Sequence, residues 1–202
     1  MNILHLDSSI LGGNSVSRLL SSAVVARLRK THPGAHLTYR DLAEIPIPHL
    51  TGAYLAAAQG PGQPDAALQA NLELGSTVLK EFLAADIVVV GVAFYNFSIA
   101  SQLKAWVDRI AVAGKTFRYT AQGPEGLAGG KRVILAISRG GFYGHGSPAQ
   151  AFEHAETYLR GVFGFIGVTD IEVIAAEGVA AGPEERKAAI ARAEHQIAEI
   201  AA

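Results

Sequence analysis

The chain has 202 residues, half of them apolar and 17% charged, with a formal net charge of −1; that suits one α/β domain with a large core and lacks the basic surplus a nucleic-acid partner requires. It contains no cysteine, which excludes disulfides, iron–sulfur ligation and thiol chemistry. No apolar run reaches the ~18 residues of a membrane span and no secretory leader precedes the first strand, so a soluble, cytoplasmic protein with no membrane partner is expected.

The first apolar run, Ile3–Leu6, predicts a buried strand. Leu19, Val24 and Leu28 then predict a helix to about Lys30, ended by His-Pro-Gly. After a second strand at His36–Tyr39 comes PIPHLTGAYLAAAQGPGQPD, with four prolines. A connection of that length either covers a site or partner or is a loose surface excursion. Leu72, Leu74, Val78, Leu79 and Phe82 mark the next helix, so a loop and helical insertion is expected at about 42–84. IVVVGV (Ile87–Val92) and VILAI (Val133–Ile137) are continuous rather than alternating, as in strands covered on both faces. Between them, Ile99, Leu103, Trp106, Val107 and Ile110 repeat at helical steps. Phe152, Ala155, Leu159 and Val162 predict a further helix, Ile171–Ile174 a fifth strand, and Gly182–Pro183 with Glu184 and Glu185 the start of the last helix.

Strand and helix alternating five times predict a three-layer α/β sandwich with a five-stranded parallel sheet. The order 2-1-3-4-5 suits five strands better than the six-strand dinucleotide order. In such a sheet, ligands bind beyond the carboxyl ends of the strands where the order reverses, here in the loops after strands one, three and four. The first loop, DSSILGGNSVSR, brings Ser8, Ser9, Ser15 and Ser17 to a helix N-terminus. Hydroxyls and backbone amides there either enclose a phosphate or simply cap the helix. With no P-loop lysine, a monophosphate fits better than a triphosphate. The second loop, AFYNFS, sets Phe94, Tyr95 and Phe97 around Asn96, suited to a flat conjugated ring with polar edges. The third, SRGGFYGHGS, offers main-chain amides at Gly140 and Gly141, with Arg139 either adding a charge or pointing into solvent. A phosphate pocket beside a heteroaromatic platform matches the shape of FMN. The seven histidines show no metal-ligand spacing and GxSxG is missing, so neither metal binding nor Ser/His/Asp hydrolysis is expected.

Motifs in order along nearly the whole chain carry a resemblance: SS at Ser8–Ser9, SVS at Ser15–Ser17, RDL at Arg40–Leu42 followed by PIP at Pro46–Pro48, YNFSIASQLKAWVDRI from Tyr95, TFRYT at Thr116–Thr120, GPEGL at Gly123–Leu127, SRGG at Ser138–Gly141, GFIG at Gly164–Gly167 and AEG at Ala176–Gly178. With these the chain resembles the FMN-dependent NADH-azoreductases, homodimeric flavodoxin-like enzymes related to the two-electron quinone reductases. The resemblance implies one FMN-binding domain over residues 1–202, with tight, non-covalent FMN. It places the phosphate at Ser9, Ser15, Val16 and Ser17, and the flavin along Phe94, Tyr95, Asn96 and Phe97, with Ser138, Arg139, Gly140 and Gly141 at its other edge. Relatives often carry Met at the position of Phe94, and some carry an aromatic at that of Val162. Tyr119, Tyr143 and His145 are the candidates for orienting an acceptor.

The activity so implied is two-electron, ping-pong transfer from NAD(P)H to quinones and azo compounds, with NADH the family-based donor and NADPH the alternative. Quinone reduction with incidental azo cleavage is a variant of that reading. A flavodoxin-type electron carrier is a rival from another class, against which stand the charge of −1 and the long segment after strand two. A non-flavin regulatory domain is a second. Phe142–Tyr143 and the Tyr54 segment are suitable material for a homodimer interface.

Overall fold

The computed structural model describes residues 1–60 and 63–200. Pro61 and Gly62 of the long connection, and Ala201 and Ala202, lie outside the described residues. Five parallel strands, β1 (Asn2–Asp7), β2 (His36–Asp41), β3 (Ile87–Tyr95), β7 (Arg132–Arg139) and β8 (Asp170–Glu177), pair in the order β2-β1-β3-β7-β8. This is the expected 2-1-3-4-5 arrangement. Three short strands come in addition. β4 (Ser98–Ile99) folds back antiparallel on the end of β3, and β5 (Phe117–Thr120) and β6 (Gly123–Gly126) form a separate hairpin.

The central strands alternate between two cores, which is why their sequence shows no polar interruption. Leu4 and Leu6 of β1 and Val88, Val90 and Val92 of β3 face α3 (Ala66–Ala84), α4 (Ser101–Ile110) and α5 (Ala155–Phe165), where Trp106 packs edge-on against Phe82 at 5.8 Å. Ile3, Val89, Ile134 and Ala136 point the other way, to Leu20 and Val24 of α1 (Val16–Thr31) and Ala189 and Ala193 of α6 (Pro183–Glu199). No described helix is long and apolar enough to cross a membrane.

Local chemistry sets the helix ends. Ser15 caps α1 by accepting from the Arg18 amide, and Arg29 and Lys30 occupy its last turn, where cations oppose the dipole. The connection after β2 is largely helical: α2 (Gly52–Gln59) opens on Thr51, and α3 on Asp65, whose carboxylate accepts from the Leu68 amide at 2.8 Å. Two helical expectations shift. Ile99 belongs to β4 rather than α4, and Phe152 lies in a short 3-10 turn (Gln150–Phe152), 52% exposed. The register with Phe94 captures Ile99 first, and Glu153, accepting from the Ala155 and Glu156 amides at 3.1 and 2.9 Å, fixes the start of α5 beyond Phe152.

The β5–β6 hairpin reaches the core through a close backbone contact. A Cβ on Gly126 would lie 2.2 Å from the Gly167 nitrogen, and the Ala128 amide donates to Ile166 at 2.8 Å. Because the obstacle is main chain, Gly126→Ala is expected to destabilise by roughly 2–4 kcal/mol. Gly161, exposed on α5 with nothing within 4 Å of a built Cβ, should gain about 0.5–1 kcal/mol on replacement by Ala. Urea midpoints of the two variants, moving in opposite directions from the parent, check both.

Candidate active site

The loops after β1, β3 and β7 meet at the carboxyl edge of the sheet, as the strand order requires. The first turns at Asp7, whose side chain is 2% exposed and packs directly on Gly91 of β3; a Cβ there would sit 2.2 Å from Asp7 Oδ1. Asp7 accepts hydrogen bonds from Ser21 Oγ at 2.8 Å and the Tyr39 hydroxyl at 3.1 Å. Burial and the nearby Asp7 carboxylate push the Tyr39 phenol up to about 12. Arg18 forks onto Asp41 at 2.5 and 2.7 Å, and the same guanidinium donates to the Ser9 carbonyl at 2.7 and 3.2 Å. The Arg18 hydrogen bonds hold the Asp41 carboxyl below its ordinary range, despite partial burial. Sequence patterns did not single out Arg18, although it ends the quoted serine loop.

Over this base stand the hydroxyls. Ser8 Oγ turns inward and donates to Gly91 O at 2.8 Å. Ser9 Oγ shares a 3.1 Å hydrogen bond with the Tyr95 hydroxyl, which also accepts from the Ile10 amide at 3.2 Å. Tyr95 is thus a strut between the first and second loops. Ser17 Oγ lies 3.1 Å from Ser15 Oγ and is fully buried, so it braces Ser15 rather than facing open space. The amides of Val16 and Ser17 open α1 and have no partner one turn back within the helix.

A cleft of about 260 Å³ joins Ser9, Ser15 and Val16 at one end to Phe94, Tyr95, Ser138 and Gly140 at the other. Leu11, Asn14, Val179, Ala180 and Arg186 also line it, none of them anticipated from sequence. Asn96 borders an adjoining hollow of about 590 Å³ that shares Phe94 and Tyr95. Asn96 and Phe97 form the two-residue turn between β3 and β4, with φ of 47° and 73°. A two-residue hairpin favours left-handed backbone; Asn tolerates it, while at Phe97 it costs about 1 kcal/mol. Phe97 lines neither space; its ring packs on Phe152 at 5.2 Å and edge-on to Tyr143 at 6.2 Å.

Arg139 also faces away from the cleft. Its side chain is bound by Glu153, Glu156 and Glu177 at 3.2, 2.9 and 3.2 Å. Burial opposes the charge, but the three carboxylates more than offset it and raise the guanidinium pKa. Through Glu177, which accepts from the Tyr143 amide at 2.8 Å, this knot positions the loop that follows Gly141. Tyr143 is the one acceptor-orienting candidate that meets the aromatic wall, 4.8 Å from Phe94. His145 is exposed beyond it, and Tyr119 stands on β5, 75% exposed, against Phe117.

A phosphate-sized nest of hydroxyls and a flat aromatic wall, on an order-2-1-3-4-5 parallel sheet, are joined here by one further observation: a family model described as "Flavodoxin-like fold" matches residues 1–201. The chain belongs to this flavodoxin-like family. It is 61% identical over 193 residues to a protein named FMN-dependent NADH:quinone oxidoreductase from Methylorubrum extorquens (strain PA1), covering 96% of this chain and 95% of the relative. A protein of the same name from Xanthomonas campestris pv. campestris (strain ATCC 33913) is 60% identical over 199 residues, 98% of each chain. Among solved structures, the flavodoxin-like chain superposes with a TM-score of 0.88 on an azoreductase from Bacillus anthracis str. Sterne, 28% identical, covering 98% and 97% of the two chains. It superposes with a TM-score of 0.89 on an FMN-dependent NADH-azoreductase from Bacillus anthracis str. Ames Ancestor in complex with FMN, 25% identical, covering 98% and 96%.

The Arg18–Asp41 pair gives this family member a pH signature. With its folded pKa depressed, Asp41 contributes stability fully above the unfolded carboxyl value of about 3.9, and loses it as pH falls through the lower folded value. Asp41→Asn should therefore cost about 1–3 kcal/mol at pH 7. The gap to the parent should narrow below about pH 4. Urea titrations of parent and variant at both pH values measure it.

Proposed function

We propose that this chain is an FMN-dependent NADH:quinone oxidoreductase that also reduces aromatic azo compounds, acting as a homodimer in the cytoplasm. The observation that carries the reading is the single cleft in which buried serine hydroxyls and a helix N-terminus lie opposite Phe94 and Tyr95. The names of its relatives, at about 60% identity over nearly full length, support it.

The donor set fits FMN. Ser9 and Ser15 and the first-turn amides of α1 would hold the phosphate, with the positive end of the helix dipole behind them. Phe94, Tyr95 and Asn96 would flank the ring, and Ser138 and Gly140 its polar edge. When bound, FMN supplies two-electron transfer between a nicotinamide donor and the acceptor. The chain's own residues bind and orient. Preorganised main-chain dipoles beside Gly140 would favour negative charge at the edge of a bound ring. The phenyl faces exclude water, and Tyr143, held from behind by Glu177, offers its side chain at the open side of Phe94. No acid or base is required of the protein, since water can protonate the product. Ile10 at the hollow is exposed, as are Phe97, Phe142 and Phe152, and a second copy would cover such apolar surface.

Purified protein should be yellow, absorb near 450 nm, and, without oxygen, turn NADH over repeatedly only when a benzoquinone or methyl red is supplied. Initial rates at several acceptor concentrations should give parallel reciprocal lines, the mark of a ping-pong cycle. A colourless protein that takes up no FMN would overturn the reading. Ser15→Ala is expected to weaken FMN binding by about tenfold through loss of one phosphate hydrogen bond, measured by the recovery of flavin fluorescence on dilution.

A further inference from the structure

Arg186, the fourth residue of α6, lies on the far side of the cleft from the aromatic wall's strand but reaches the hydroxyl loop. Its Nη2 donates to the Asn14 carbonyl at 3.2 Å, and Asn14 immediately precedes Ser15, the α1 cap. Among the described residues that line the cleft, Arg186 alone carries a charge. The other guanidinium groups near this edge are committed. Arg18 is bound by Asp41 and the Ser9 carbonyl, Arg139 by three glutamates, and Arg192 takes Glu185 at 2.6 Å. Among the described residues the Arg186 side chain donates one hydrogen bond, to a neutral carbonyl, and a guanidinium has five N–H donors.

The rest of the nest is short of positive charge. A phosphate monoester carries about −1.5 to −2 at neutral pH, whereas a helix N-terminus supplies only about half a unit charge. Serine hydroxyls add dipoles but no charge. A half-buried arginine fork at the lip of the nest, with no carboxylate partner among the described residues, suits a planar, two-point contact with phosphate oxygens.

We propose that Arg186 pairs with the phosphate of FMN and so makes the cleft select the phosphorylated flavin over riboflavin. This rests on the FMN-binding reading above and adds a specificity-determining residue to it. The Asn14 hydrogen bond pre-positions the side chain, so little freedom is lost when the anion arrives.

The test is flavin binding by the full-length protein, followed by flavin fluorescence, for the parent, Arg186→Gln and Arg186→Lys. Glutamine keeps a planar donor but carries no charge; lysine keeps the charge. Arg186→Gln should bind FMN about tenfold more weakly, as expected for one partly exposed charge-assisted contact, and riboflavin within about twofold of the parent. Arg186→Lys, which keeps the charge but not the fork, should recover part of the FMN affinity, and added salt should weaken FMN binding more in the parent than in Arg186→Gln. Unchanged FMN affinity in Arg186→Gln overturns the proposal. So does an equal loss of FMN and riboflavin, which would mark a structural latch. A parent that binds FMN beside an unaffected variant overturns only the role of Arg186, whereas a parent that binds no flavin overturns the functional reading as well.

Discussion

The guanidinium of Arg18 is the fastening on which the carboxyl edge of the sheet depends. From the first turn of α1 it grips Asp41 at the end of β2 and the Ser9 carbonyl beyond β1, and it lies 3.9 Å from buried Asp7. Three segments distant in sequence are thereby held by one planar group with five donors in fixed directions. A loop of serines and glycines has little rigidity of its own. Anchored in this way it can present hydroxyls at set positions, which a binding site for a small anion requires.

The opposite wall stands on different support. Tyr95 ends the central strand β3 and braces the serine loop through its hydroxyl, so the two halves of the cleft are coupled by a hydrogen bond rather than by packing alone. The left-handed turn at Asn96 and Phe97 keeps the chain from running on outward, and folds Ile99 back against Phe94. Strain of this kind persists where surrounding structure over-determines it, and here its first residue, Asn96, borders the hollow beside the cleft. The Arg139 knot does the same service for the third loop from beneath, joining β7, β8 and α5.

Much of this was legible in the residues. Uninterrupted runs such as IVVVGV can satisfy only a strand covered on both faces, which gave the parallel sheet and, with it, the edge where ligands bind. Ser9, Ser15, Phe94, Tyr95 and Gly140 then followed from loop composition, Val16 and Ser138 from the family resemblance, and the structure brings all seven to one cleft. What stayed hidden were the long cations. Whether Arg139 faces a ligand or three glutamates, and whether Arg186 reaches back over 172 positions to Asn14, depends on tertiary reach that no local spacing encodes. The β5–β6 hairpin escaped notice for a related reason: four-residue strands with glycine and proline carry no periodicity, and their place is set by the Gly126–Gly167 approach.

Arg109 adds a last consequence. Buried in α4, it donates to the Pro48 carbonyl at 2.7 Å and to Asn71 at 3.0 Å, while the Tyr54 ring lies 3.9 Å from its carbon centre. All three partners are neutral, so this rivet between the long connection and the body is not a pair of opposite charges that dissolved ions could mask. The connection should hold its place in brine as firmly as in dilute buffer, when the exposed ion pairs of the molecular surface have already faded.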